Sequence, residues 1–160
     1  MTSDTVDQPR SGLVKGPSLK ARALKLLSMR EHTRLELERK LAPHAESPEQ
    51  LAQALDALQA KGFINEARVV ESVLHRRAAK LGASRVRQEL QAKGVADTAI
   101  TEAVEHLRST ELARAREVWR KKFGEAPQDA KARAKQIRFL ISRGFGAEVV
   151  RRVVAGADDF

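Results

Sequence analysis

The sequence has no cysteine and no tyrosine, and its only aromatic side chains are five Phe and one Trp. Without cysteine there are no disulfides, thiolate zinc sites, iron–sulfur clusters or cysteine nucleophiles. The scarcity of aromatics argues against an all-β sandwich, whose strands lean on aromatic and β-branched residues. No apolar run approaches the roughly 20 residues that a membrane helix needs. The opening stretch, Met1-Thr2-Ser3-Asp4-Thr5-Val6-Asp7-Gln8-Pro9-Arg10, has no apolar signal-peptide core. A cytoplasmic location with no membrane partner is expected.

Catalytic patterns are also missing. His32, His44, His75 and His106 are scattered, with no H-E-x-x-H or comparable ligand spacing, and read as surface or helix-end histidines. No G-x-x-x-x-G-K-[ST] occurs, which excludes a P-loop ATPase, and Gly144-Phe145-Gly146 is too short for a dinucleotide loop. The sequence therefore predicts no catalytic residues, no metal and no cofactor, and a protein that binds rather than catalyses. An enzyme with an unrecognised site is the least favoured alternative.

What is present is helical periodicity. In a chain of 160 residues, 42% hydrophobic and 32% charged, Leu51, Ala54, Leu55 and Leu58 fall at i, i+3, i+4, i+7. Ile100, Ala103, Val104 and Leu107 repeat that spacing; Leu112, Ala115, Trp119 and Phe123 follow a similar stripe, and Ile137, Leu140 and Ile141 a shorter one. Trp119 on its stripe reads as core rather than as a base-stacking platform, which needs several exposed aromatics. Thr33 with Glu36, and Ser47 with Gln50, have capping-box spacing, and Pro48 suits a first helical position. Asn65 and Asp97 are further N-cap candidates.

Lys61-Gly62-Phe63, Lys93-Gly94-Val95 and Arg143-Gly144-Phe145 each follow a helical stripe. Glycine takes the left-handed conformation that ends a helix, the next apolar residue folds back onto the last turn, and the preceding cation suits the negative end of the dipole. Three such endings suggest repeated helical modules. The pattern predicts nine helices, over 18–29, 33–43, 48–61, 65–81, 84–93, 97–108, 110–123, 129–143 and 146–155. They group as three-helix repeats at 18–63, 64–109 and 110–156 behind a flexible tail at 1–17. A module of about 45 residues is marginal alone, so neighbours are expected to pack into an elongated all-α array.

Charge is strongly patterned. Thirty basic against 21 acidic residues leave +9. Residues 10–44, 73–96 and 113–124 carry net +6, +5 and +4, while residues 45–72 and 97–112 each carry −3. Recurrent cations on an array suit a long polyanion. The densest set is Arg76, Arg77, Lys80, Arg85, Arg87 and Lys93, and Arg120, Lys121 and Lys122 form a second cluster. Arg76, Arg77 and Lys80, at i, i+1 and i+4, share one helix face.

Four stretches carry a family resemblance: Ala23-Leu24-Lys25-Leu26-Leu27-Ser28-Met29-Arg30-Glu31-His32-Thr33-Arg34-Leu35-Glu36-Leu37, Leu55-Asp56-Ala57-Leu58-Gln59-Ala60-Lys61-Gly62-Phe63-Ile64-Asn65-Glu66-Ala67-Arg68, Ser84-Arg85-Val86-Arg87-Gln88-Glu89-Leu90-Gln91-Ala92-Lys93-Gly94-Val95 and Arg138-Phe139-Leu140-Ile141-Ser142-Arg143-Gly144-Phe145. In this order and spacing, from about Ala21 to Val154, the chain resembles the bacterial RecX regulatory family. The resemblance implies three tandem three-helix repeats in a curved array. It also implies a non-enzymatic modulator that lies in the groove of the RecA–single-stranded-DNA filament. There it would impede recombination, ATP hydrolysis and coprotease action, within DNA repair and the SOS response. Two positions depart from the family pattern. Val69 stands where an aromatic is common, and Ala42-Pro43-His44-Ala45 replaces a Lys-Gly helix ending.

The expected contact residues, chosen from charge, are Arg76, Arg77, Lys80, Arg85, Arg87, Lys93, Lys121 and Lys122, with Arg143, Arg151 and Arg152 secondary. The expected partners are the RecA filament and, weakly when alone, single-stranded DNA, bound by a monomer. The rival reading is a general nucleic-acid binder made of small helical bundles.

Overall fold

The structure is a computed structural model that describes residues 16–156. Most of the tail expected at 1–17 lies outside the described residues. Among them are α-helices and one 3-10 turn, and no strand: α1 (Leu19–Met29), α2 (Arg34–Leu41), the 3-10 turn Ala42–His44, α3 (Pro48–Ala60), α4 (Glu66–Arg77), α5 (Ala83–Ala92), α6 (Asp97–Arg108), α7 (Glu111–Lys122), α8 (Ala130–Ser142) and α9 (Ala147–Ala155). The chain divides into two compact units, one ending at Ile64 and the other beginning at Asn65. The first holds α1–α3 and the second α4–α9.

Polar side chains start the helices. Thr33 Oγ1 accepts from Glu36 N at 3.1 Å, and Glu36 Oε1 accepts from Thr33 N at 3.1 Å, a complete capping box. At α3 only half of the expected box forms. Ser47 Oγ accepts from Gln50 N, but Gln50 Oε1 takes the N–H of Glu46 instead of Ser47. Asn65 Oδ1 accepts from Arg68 N at 3.0 Å. Asp97 does not cap α6. It is the first helical residue, and the preceding Ala96 N–H donates to Glu66 Oε1 from α4. Its carboxylate still lies at the positive end of the helix dipole.

The three glycine endings share one geometry. Gly62, Gly94 and Gly144 have φ of +81°, +80° and +87°. Phe63 N donates to Leu58 O at 3.0 Å, Val95 N to Leu90 O at 3.1 Å and Phe145 N to Leu140 O at 3.3 Å, the six-to-one bond of a Schellman motif. Val95 and Phe145 are buried as the motif predicts. Phe63 is not: it is 44% exposed, and its neighbour Ile64 enters the core instead.

Each helix triplet has its own apolar cluster. Leu37, Leu41, Leu55 and Leu58 centre the first; Val73, Val86, Leu90 and Val104 the second; Ala115, Trp119, Leu140 and Val150 the third. Val69, where the family often has an aromatic, is fully packed in the second. A fully buried Leu contributes about 1.5–3 kcal/mol relative to exposure, so each cluster stabilises its triplet by several such increments. Trp119 is core, as its stripe predicts. Its Nε1–H donates to Gln136 Oε1 at 2.8 Å, and Gln136 Nε2 in turn donates to Glu125 O at 3.0 Å, which satisfies both buried polar groups.

Two further expectations fail. His32 is a core residue, 1% exposed, with Nδ1 2.9 Å from Arg30 O and Nε2 3.3 Å from Lys40 Nζ. Helix α4 stops at Arg77 instead of running to residue 81. Beyond it Lys80 N bonds Arg77 O, a tightened turn, and the Arg114 guanidinium donates to Ala78 O and Leu81 O, both at 2.7 Å. The carbonyls of the turn that follows the helix end are met here by a side chain from α7.

Candidate functional site

In the second unit, α4–α6 and α7–α9 are joined through backbone contacts. Gly82 N donates to Arg143 O at 2.8 Å. A Cβ on Gly82 would stand 2.3 Å from Gly144 O, and one on Gly144 would stand 2.6 Å from Arg85 N, so only glycines permit this approach. Helix α5 has no side-chain cap of its own. Ala83 N donates instead to Glu111 Oε1, at 2.9 Å, from the start of α7. Glu111 is 7% exposed, and its charge is placed at a helix N-terminus. Arg114 completes the joint, with Nη2 2.8 Å from Leu107 O and Nε 3.1 Å from Thr110 Oγ1. Burial pulls the Arg114 pKa below the usual arginine value, while the nearby Glu111 carboxylate acts in the opposite direction.

This seam gathers cations around two neighbouring hollows. One, of about 430 Å³, is lined by Arg77, Arg85 and Arg143 together with Leu81, Gln88 and Glu89. Arg77 Nε lies 3.5 Å from Glu89 Oε2, and that oxygen is buried with no hydrogen bond. The second hollow, of about 440 Å³, has Ala79, Val118 and Phe139 among its lining and Lys80, Lys121, Lys122 and Arg143 around them. Arg143 Cζ is 4.9 Å and Lys122 Nζ 5.4 Å from the Phe139 ring centroid, within cation–π range. Phe123 meets Phe139 edge to face, with centroids 5.4 Å apart and planes at 89°. The Glu117 carboxylate in this hollow is held below the usual range chiefly by its 2.7 Å bond to Arg120, with Lys121 at 3.8 Å.

Five of the eight charge-selected residues therefore converge: Arg77, Lys80, Arg85, Lys121 and Lys122. Arg76, Arg87 and Lys93 are not among the side chains lining these hollows. The shared-face argument for Lys80 does not hold, because Lys80 lies past the end of α4. The turn after Arg77 carries it to Lys121 and Lys122 instead. Arg143, a secondary candidate, is common to both hollows. Phe139 was not singled out, although Phe within the Arg138–Phe145 stretch flanked by basic residues offered the signal. Glu111 and Arg114 gave none, since their partners lie 28 and 33–36 residues away.

Among the described residues, no three His, Asp or Glu side chains cluster as a metal site, and no helix is long and apolar enough to cross a membrane. The hollows offer three guanidiniums, three ammoniums and one aromatic ring. That arrangement can hold an anion beside a flat apolar group.

Comparison with known proteins agrees with the helix triplets. The family description for the RecX second three-helix domain matches residues 65–104, and that for the RecX third three-helix domain matches residues 109–154. A protein named Regulatory protein RecX from Leptothrix cholodnii is 57% identical over 141 residues, 88% of this chain and 90% of that protein. The chain belongs to the RecX family. A second RecX regulatory protein, from Ralstonia nicotianae, is 49% identical over 88% of this chain and 89% of its own length. A crystal structure of regulatory protein RecX superposes with a TM-score of 0.70 at 21% identity, covering 84% of this chain and 70% of that one. RecX from Lactobacillus salivarius gives 0.67 at 19% identity, covering 89% and 96%. These two show a shared fold. The RecX relatives are named as regulatory proteins, and family membership gives this chain a regulatory role.

Proposed function

We propose that this chain regulates the RecA recombinase by binding along the RecA–single-stranded-DNA filament, and that it catalyses no reaction itself. RecX family membership over 88% of the chain is the observation that carries this reading. The cations gathered at the seam between the second and third helix triplets support it, because a filament of protein on DNA presents a continuous run of phosphates. The contact residues on this reading are Arg77, Lys80, Arg85, Lys121, Lys122 and Arg143. Arg76, Arg87 and Lys93 are retained as outlying contributors. Several weak contacts on one chain reinforce one another once the first has formed, since each later contact is made at high effective concentration. A regulator held this way obstructs strand exchange, ATP hydrolysis and coprotease action while binding free single strands weakly.

The test is a titration of the chain into RecA with single-stranded DNA, following ATP hydrolysis and strand exchange. Both are expected to fall at or below one chain per RecA protomer. If both are untouched at saturation, the reading is wrong. Tight, salt-steep DNA binding with RecA unaffected would instead identify a general nucleic-acid binder.

A further inference from the structure

We infer that the seam between the second and third helix triplets is a subsite for one nucleotide unit of a single strand: the Arg77, Arg85 and Arg143 hollow seats a phosphate, and the adjoining hollow at Phe139 seats its base. This deepens the filament-binding reading and rests on its premise that the cations meet nucleic acid. It adds which part of the polymer each hollow takes.

The first hollow has the chemistry of a phosphate seat. Three guanidiniums and a single carboxylate, Glu89, line it, so its formal charge is +2. Guanidinium forks match phosphate oxygens in pairs. Glu89 is partly offset by Arg77 at 3.5 Å, which leaves Arg85 to face a ligand oxygen together with Arg143, whose guanidinium also lies 4.9 Å from the Phe139 ring centroid.

The second hollow is also cationic, with Lys80, Lys121, Lys122 and Arg143 against one carboxylate, Glu117, but it adds the apolar surface that a base needs. Ala79, Val118 and the half-buried Phe139 give it an apolar lining. The edge-on contact with Phe123 holds the Phe139 ring in place. Arg143 and Lys122 already sit against that ring, and the π surface that attracts a cation also stacks a base. Lys122 is exposed, so an entering base displaces it cheaply and leaves its ammonium beside the backbone. Arg143 belongs to both hollows and ties the two halves of one nucleotide together. A paired base is unavailable for such stacking, so the strand must be single. An acidic peptide suits the lysine rim, but it gives no reason for a guanidinium hollow next to an aromatic one.

The experiment uses the full chain without RecA. Fluorescence anisotropy compares a short oligothymidylate with an abasic phosphodiester strand of equal length and charge. The thymidylate is expected to bind about tenfold more tightly. Phe139→Leu should erase that ratio, whereas Arg85→Gln should weaken both strands alike. Oligouridylate, run in parallel, assigns the preferred strand to RNA or DNA. Equal affinity of the unaltered chain for thymidylate and abasic strands overturns the base subsite. Should Phe139→Leu fail to fold, photo-crosslinking of 4-thiothymidine strands to the unaltered chain decides: adducts around Phe139 support the subsite, and adducts confined elsewhere overturn it. An acidic, phenylalanine-containing peptide that displaces the strand at lower concentration also overturns it. A chain that inhibits RecA but ignores the base loses the subsite and keeps its function. A chain that reads the base yet leaves RecA untouched loses the function and keeps the subsite.

Discussion

Gly62 and Gly144 end their helices with the same hydrogen bonds and nearly the same φ, but their surroundings differ. Around a Cβ built on Gly62 there is nothing within 4 Å, whereas one on Gly144 would meet Arg85 Cβ and N at 2.6 Å. The first unit uses the motif only to stop a helix. The second uses it to bring two helix triplets into backbone contact, with Gly82 on the facing side. The polar groups follow the same division. Arg34 of α2 bonds Glu38 on its own helix and Asp56 of α3, within one triplet, while Arg114 of α7 reaches Ala78 and Leu81 in the neighbouring one. A local sequence device thus becomes a joint between repeats when something packs against it.

The sharpest way to break this comparison is Gly82→Ala. Gly82 has φ −77° and ψ 168°, which alanine adopts freely, so the substitution tests close approach alone. With backbone atoms of Gly144 and Phe145 at 2.3–2.4 Å from the new Cβ, the two triplets must separate. The expected cost is about 3–4 kcal/mol in urea unfolding. Gly62→Ala, which meets only the penalty of a positive φ, should cost about 1 kcal/mol. Equal costs would show that the joint is not sensitive to packing.

The arginines give a second, smaller contrast. Arg114→Met keeps the aliphatic bulk but strips the donors from three carbonyls, and is expected to cost about 2–3 kcal/mol. Arg34→Met loses Asp56 at 2.6 Å and Glu38 at 3.1 Å, but both pairs are partly exposed and screened. The bond to Asp56 is the main reason the Arg34 pKa is raised. The expected cost there is about 0.5–1 kcal/mol. Paired thermal melts of the two variants would check the order, and a reversed order would mean that the seam carbonyls are satisfied by water once Arg114 is gone.

Periodicity and punctuation made most of the helices legible. Apolar residues at helical spacing, Thr33, Ser47 and Asn65 before them, and a basic–Gly–apolar end after them each act within a few residues of chain. Gly124, at φ +71°, makes a fourth glycine ending among the described residues, but it lacks the basic–Gly–apolar pattern because Phe123 precedes it and Glu125 follows it. The candidate site was legible only in part. Charge density pointed to Arg77, Lys80, Arg85, Lys121 and Lys122, but their convergence depends on the turn at 78–81 and on the Gly82–Gly144 approach, which join residues about 60 apart in sequence. No local pattern encodes that distance. The same blindness hid Glu111, which looks like an ordinary first-turn carboxylate of α7 until Ala83 is placed against it.

His32 carries the smallest expected effect and confines it to the first unit. Burial is the main cause holding its pKa below 6.5, and the charges of Arg30 and Lys40 add to it. The Arg30 carbonyl and the Glu36 carboxylate act the other way. The neutral ring fits its contacts: Nδ1–H donates to Arg30 O, and Nε2 accepts from Lys40. Protonation would set a second donor against the Lys40 ammonium. Because the folded pKa lies below that of the unfolded chain, unfolding takes up a proton as pH falls. Stability is therefore steady above about pH 6.5 and declines below it until the folded pKa is passed. Melting temperatures measured from about pH 7.5 to 5 should fall more for the unaltered chain than for His32→Gln, whose amide donates and accepts without titrating. A ring-proton titration of the folded chain with a midpoint at or above 6.5 would contradict this assignment.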